Sequence, residues 1–421
     1  MLLHLAAIVL LFETLKRLIS TQTAFIAAAI FAVHPFQAEP VNYIFARSTL
    51  LATVLCLAAL TSWVRGRVWW ATAWFAAALL AKEECVAFPV FLLLLHFSRS
   101  GGPKELKPIG TMFALSAAAG FRVLLAAQTP GSGAGAQAAI SWQSYMFIQG
   151  AVILRYLRML LVPLGFTVDA DIQTPALWLA ALAWISVLAL AGIAAFRFTN
   201  VRAGFWFLAG LVLLLPSSSI FPATDLAADR RMYLPMIGFA ACAGLLLAKV
   251  RPIYLAVMLI LLAGVSITRT ATWRTEESLW TDAVAKAPAK IRPRILLARA
   301  VEADRALLVL EQAKGIAPDD ARIPSEEGRI YLSVGRPGQA LPAFGRALAL
   351  SPHSAEAMNN RGVALLALDQ KEAARADFER ALATDPCQFD ARLNMSRLGI
   401  SKPVPPECRY SAEQSAALRG N

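Results

Sequence analysis

Two consecutive stretches of 34 residues, DDARIPSEEGRIYLSVGRPGQALPAFGRALALSP (319–352) and HSAEAMNNRGVALLALDQKEAARADFERALATDP (353–386), are variations on one pattern. Pro318, Pro352 and Pro386 stand 34 positions apart, and Gly328/Gly362, Ala340/Ala374, Phe344/Phe378 and Ala347/Ala381 recur at the same offset. Small residues at fixed places let paired helices approach closely, a Phe fills the space between stacked hairpins, and a Pro stops the second helix before the next turn.

The period and the order of these residues are those of the tetratricopeptide repeat. Upstream, Ala306, Leu310, Ala313 and Pro318 keep the second helix of a degenerate unit whose first helix is shortened, and a lone helix over about 390–398 reads as a cap. The array is therefore short. Concave-face positions of the first helix of each hairpin fall on Arg322, Ser325 and Arg329, then on Glu356, Asn359 and Val363. A polar groove of that kind suits an extended peptide from an extracytoplasmic partner, the bland alternative being a solvated face.

The remainder of the chain is of a different kind. The whole is 57% hydrophobic and 16% charged, with a mean hydropathy of +0.55. Its net charge of +12 invites a nucleic-acid reading, but residues 1–269 hold 19 Lys/Arg against 9 Asp/Glu while residues 270–421 hold 21 against 19. The basic excess thus belongs to the apolar part, where it is a topology signal, and no nucleic-acid partner is expected.

Apolar spans are expected at 1–18, 21–36, 48–64, 68–81, 85–97, 107–127, 175–196, 203–220, 232–249 and 252–269. Alternate loops then collect Lys16, Arg17, Arg65, Arg67, Arg99, Lys104, Lys107, Arg197, Arg202, Lys249 and Arg251 on the cytoplasmic side. Glu39, Glu83, Glu84, Asp169, Asp171, Asp225 and Asp229 face outside. The alternation requires that 144–162, which carries Arg155 and Arg158, lie in the interface rather than cross. It also splits 68–97 into two half-length helices around Lys82-Glu83-Glu84, and it leaves the repeats extracytoplasmic.

The expected architecture is all-α: a polytopic membrane domain at 1–269, lipids being its immediate partners, a connecting helix at 270–290, repeats with the cap at 291–400 and a Pro-containing tail at 401–421. Cys56, Cys85 and Cys242 lie in apolar helices as ordinary small thiols, whereas Cys387 and Cys408 flank the cap and suit a disulfide in an oxidising compartment. His4, on an apolar helix, reads as a core histidine.

Three charged clusters fall on the outer side. VHPFQAEPVNYIFAR (33–47) gathers His34, Glu39, Asn42 and Arg47 around two helix-breaking prolines. Lys82-Glu83-Glu84 sits at a half-helix turn, and Asp229-Arg230-Arg231-Met232-Tyr233 at the mouth of a span. Charges at partial membrane depth are functional candidates, and the arginine fork suits phosphate. Individually each charge has a structural alternative, namely pairing or headgroup anchoring. No HxxxH or CxxC metal spacing occurs, and Gly131-Ser132-Gly133-Ala134-Gly135 lacks the following Lys of a phosphate loop and reads as linker.

The succession His34-Pro35, Glu39, Val41, Arg47, then Lys82-Glu83, Tyr156-Leu157-Arg158 with Pro163-Leu164, Asp229-Arg230 with Tyr233-Leu234-Pro235, and Trp273-Arg274 resembles the transmembrane and tetratricopeptide-repeat protein family. The resemblance runs from about residue 2 into the repeats. It implies a C-type glycosyltransferase, of the protein O-mannosyltransferase kind, with a polyprenyl-phosphate sugar as donor and a hydroxyl acceptor. In that picture Arg230, Arg231 and Arg47 hold the lipid phosphate, Lys82 and Tyr233 line the substrate site, the acid or base is drawn from Glu39, Glu83 and Asp229, and Glu39 or Glu83 lines the acceptor or divalent-metal site. Proteins of this type begin with a further span and an acidic outer loop, whereas Met1 opens directly into what resembles their second span. The expectation is either an upstream segment or lost transfer activity. A non-enzymatic scaffold gathering partners on its repeats is the alternative, and a transporter a weaker third.

Overall fold

The computed structural model describes residues 1–99, 102–127, 140–196, 202–218 and 225–419. Arg197 and the glycine-rich 131–135 lie outside them. The regular structure of the described residues is helical, without strands, and the chain divides into two compact units, Met1–Thr275 and Glu276–Asn421.

In the first unit, four helices are long and apolar enough to cross a bilayer: Ile44–Val64, Leu106–Leu125, Leu177–Phe196 and Pro252–Ala271. The number becomes five if Thr21–Val33 and Pro35–Asn42, which meet at a 52° bend, count as one broken span. Ten spans were expected from the sequence, so the count is corrected downward. The reason is length. Leu2–Leu15 and Val68–Ala81 have 14 residues each and Phe88–Ser98 has 11. At 1.5 Å per residue the 14-residue helices reach about 21 Å against a hydrocarbon core of about 30 Å. Prolines and the Lys82-Glu83-Glu84 turn cut these segments short. Helix Trp142–Leu161, expected to rest in the interface, buries Tyr145, Ile148, Val152, Tyr156 and Met159 against the rest of the unit. It is a structural member of the bundle.

The outward surface of the long helices is apolar: Pro252–Ala271 exposes Ile253, Val257, Ile260, Leu261 and Ile267. Together the four helices make this unit that of a membrane protein. Its helices pack through small residues. A Cβ on Gly238 would stand 2.7 Å from Trp206 O, and one on Gly244 2.8 Å from Thr23 O, so Met236–Leu247 touches two neighbours backbone to backbone. Inside, His4 Nδ1 lies 2.8 Å from the Tyr233 hydroxyl, and both side chains are buried. His4 is thus a core residue.

The second unit is a helical-hairpin stack. Arg322–Ser333 pairs with Pro337–Leu350, and Ala355–Ala367 with Lys371–Thr384. The repeated residues do what their spacing predicts. A Cβ on Gly328 would fall 2.6 Å from the Phe344 ring, and one on Gly362 2.6 Å from that of Phe378. Ala340, Ala347, Ala374 and Ala381 are fully or almost fully buried. The degenerate unit is Ile291–Ala300 with Ala303–Ile316, its first helix of 10 residues shorter than the 12 and 13 of the later units. The cap helix is Phe389–Arg397, and the tail carries a short helix, Ala412–Leu418, closed by a Ser411/Gln414 capping box. Cys387 and Cys408 form a disulfide.

Candidate functional site

Two short elements carry the charges of the first unit. Pro35 and Pro40 divide the chain after Thr21–Val33 into a 3₁₀ turn and the one-turn helix Ala38–Asn42, which presents Glu39. A second 3₁₀ turn, Asp229–Met232, presents Asp229, Arg230 and Arg231. The two meet directly. Arg230 Nη1 donates to Glu39 Oε1 at 2.8 Å, its backbone N–H donates to Glu39 Oε2 at 3.2 Å, and its Nη2 donates to Asp225 at 2.6 Å. With Glu39 2% exposed at its side chain and both terminal nitrogens of Arg230 on carboxylates, this is a closed structural clamp. Burial lowers the tendency of Arg230 to hold its proton, but Glu39 and Asp225 more than offset this and hold it charged.

Asp229 is locked in the same way. Arg155 Nη1 donates to Oδ1 at 3.3 Å and the Thr167 N–H to Oδ2 at 3.1 Å. The Tyr156 hydroxyl fixes the preceding residue, donating to Ala228 O and accepting from Ala228 N–H. Burial pushes the Asp229 carboxyl up from the ordinary carboxylate range against the pull of Arg155 and Arg269. Neither Glu39 nor Asp229 opens to a substrate.

Arg231 is arranged differently. It is 7% exposed, and its guanidinium donates only to neutral acceptors: the Tyr145 hydroxyl at 3.1 Å, Leu226 O at 3.2 Å and Asp225 O at 2.5 Å. No carboxylate pairs with it among the described residues. It lines a cleft of about 380 Å3 together with Glu83, Glu84 and Ser217, the apolar side being Val86, Val123 and Leu124. Glu84 is paired with Lys82 at 3.1 Å, and Lys82 also donates to Thr49 Oγ1 at 2.7 Å. Glu83 is exposed and makes no hydrogen bond or ion pair among the described residues. The cleft therefore holds a buried cation whose hydrogen-bond acceptors are neutral and, facing the same space, an exposed carboxylate.

The structure thus joins the three clusters, the first to the third through Glu39–Arg230 and the second to the third through the cleft. It also sorts their members. Arg47 is exposed at the start of Arg47–Val64, two residues from Thr49, and has no hydrogen bond or ion pair among the described residues. Tyr233, expected to line a substrate site, is fully buried with its hydroxyl on His4, so its role is packing. Asp225, Arg155, Tyr145 and Tyr156 hold the site and were not singled out for it. Arg155 in the interfacial segment and Asp225 among the outer acids were the signals in the sequence, but the partners of these four lie up to 86 positions away. Among the described residues no three His, Cys, Asp or Glu side chains converge as metal ligands.

In the repeat unit, Arg322, Ser325 and Glu356 line one cavity of about 260 Å3 with Arg299 and Glu326. Arg329 lines another, and it pairs with Glu326 at 3.0 Å. Asn359 is buried and accepts from Asn394 at 2.9 Å, and Val363 is half-buried, so these two contribute to packing between hairpins.

Residues 325–388 match the tetratricopeptide-repeat family model. The chain is similar to the protein O-mannosyl-transferase Tmtc3 of Drosophila melanogaster, with 25% identity over 77% of this chain and 44% of that protein. The chain therefore spans less than half the length of that relative. Among solved structures it overlaps a thermophilic tetratricopeptide protein of Thermus thermophilus, at 17% identity over 50% of this chain and 97% of that one, with a TM-score of 0.27. It also overlaps MamA, at 14% identity over 34% and 82%, with a TM-score of 0.26.

Proposed function

We propose that the chain is a membrane glycosyltransferase that moves a sugar from a polyprenyl-phosphate donor to a hydroxyl acceptor on the extracytoplasmic face. The observation that carries this reading is the cleft in which exposed Glu83 faces the same space as buried Arg231, whose hydrogen-bond acceptors are neutral. Transfer to a hydroxyl needs a base for the acceptor proton and a fixed cation for the departing phosphate. Glu83 takes the proton, the acceptor oxygen forms its bond to the anomeric carbon, and the bond from that carbon to the phosphate oxygen breaks with its electron pair on the phosphate. That charge develops beside Arg231. Arg231 is fixed beforehand by Tyr145 and two carbonyls, so little reorganisation is needed. Lys82 neutralises Glu84 and leaves Glu83 as the free carboxylate. The similarity to a protein O-mannosyl-transferase supports a mannosyl donor. The loop charges support an outer-face site with the repeats on the same side, where their polar groove would present a peptide acceptor.

The test is transfer of labelled mannose from polyprenyl-phosphate mannose to a serine- and threonine-rich peptide by the full chain in detergent. Glu83→Gln is expected to lower the rate by about 10²-fold or more. Equal transfer by wild type and variant would remove Glu83 from the mechanism, and no transfer by wild type would leave the chain a membrane-anchored scaffold.

A further inference from the structure

A cavity of about 600 Å3 in the repeat unit lies where the cap helix meets the C-terminal segment. Its wall is firmly held. The Cys387–Cys408 disulfide ties the segment to the entry of the cap helix, and the Tyr410 hydroxyl donates to Cys387 O at 3.0 Å. Arg392 completes the fastening, donating to Pro386 O at 2.7 and 2.9 Å and to Pro403 O at 2.9 Å. The cavity's volume falls within the range of formed ligand sites.

Its charge is one-sided. Arg392, Lys402, Arg409 and Arg419 line it, and no lining residue is acidic. Arg392 is 8% exposed, and all its acceptors are neutral carbonyls. Arg409 and Arg419 have no ion pair among the described residues, while Lys402 reaches Glu379 only at 4.0 Å. Alongside these cations, Leu382 and buried Met395 give an apolar surface. A cavity with several unneutralised cations next to apolar side chains complements an anion that also carries apolar groups.

We propose that this pocket binds an acidic peptide whose carboxylates alternate with apolar side chains, and that the Cys387–Cys408 disulfide keeps it formed. A peptide is favoured over a lipid surface because Val404 is the one strongly exposed large hydrophobic among the lining residues, too little apolar surface to enter a bilayer. The site is separate from the transfer cleft, and it stands whether or not the chain is an enzyme.

The test uses the full chain in detergent and a fluorescein-labelled peptide of alternating leucine and aspartate, followed by anisotropy. Binding is expected, weakening as salt rises. The exposed-surface variant Arg409→Glu/Arg419→Glu is expected to weaken it about tenfold or more with unchanged thermal stability. Opening the disulfide with Cys408→Ser should weaken it as well. Equal binding of a leucine–lysine peptide, unchanged affinity in the double variant, or binding only to phosphatidylglycerol vesicles would overturn the proposal.

Discussion

Charges in the two units are paired over very different distances along the chain. In the repeats, Arg361 meets Asp377 16 positions away, Arg346 meets Glu327 at 19 and Arg299 meets Glu326 at 27. In the membrane unit, Arg155 meets Asp229 at 74 positions and Arg230 meets Glu39 at 191. Exposure of the cations differs as well: Arg346 and Arg299 are 53% and 45% exposed at their side chains, whereas Arg230 and Arg155 are 22% and 17%, the acids being buried in both units. One unit is an array of neighbours whose ion pairs join helices close in the chain. In the other, ion pairs with buried acids fasten segments remote in the chain.

That contrast is open to direct challenge by mutation. Arg230→Ala leaves Glu39 buried without its cation and is expected to cost about 3–5 kcal/mol. The equivalent removal in the repeats, Arg346→Ala, should cost less, about 1 kcal/mol, because Arg346 is half in water and solvent can take its place beside Glu327. Thermal unfolding of the full chain in detergent compares them, and equal losses would break the distinction. A smaller effect sharpens it from the other side. Gly362→Leu drives a side chain into the Phe378 ring and is expected to cost about 1–3 kcal/mol, with the loss confined to melting of the repeats. Smallest and opposite in sign is Asp369→Gly. Asp369 holds φ 58° at the repeat position that Gly335 occupies with φ 70°, and its pair with Lys371 is exposed. Glycine there should stabilise by about 0.5–1 kcal/mol, since it adopts this conformation without steric cost. A loss of stability would mean that the exposed pair outweighs the backbone.

The same contrast explains what could be read in the sequence. Hairpins, caps and the packing of Phe344 and Phe378 were legible because each repeat contacts mainly its neighbours, so a fixed period carries the geometry. The apolar segments were legible as helices, as was the break at Lys82-Glu83-Glu84, but their number as spans was not, because apolar composition does not separate a 14-residue helix that stops short from one that crosses. Within the site, the charged clusters were visible as clusters. Which arginine is clamped and which is free was not, because the difference between Arg230 and Arg231 is made by Glu39 and Asp225 on one and by Tyr145 and carbonyls on the other. Tyr233 likewise read as a site residue beside two arginines, and only its approach to His4 shows it to be core.

The distinction between the two arginines is most directly tested by the affinity of the full chain, in detergent, for polyprenyl phosphate carrying no sugar. Arg231→Met is expected to lose about tenfold or more in affinity, while Glu83→Gln binds at least as tightly as wild type because a negative charge has left the cleft. Unchanged affinity in Arg231→Met would contradict the assignment of the cleft as the place where the lipid phosphate departs.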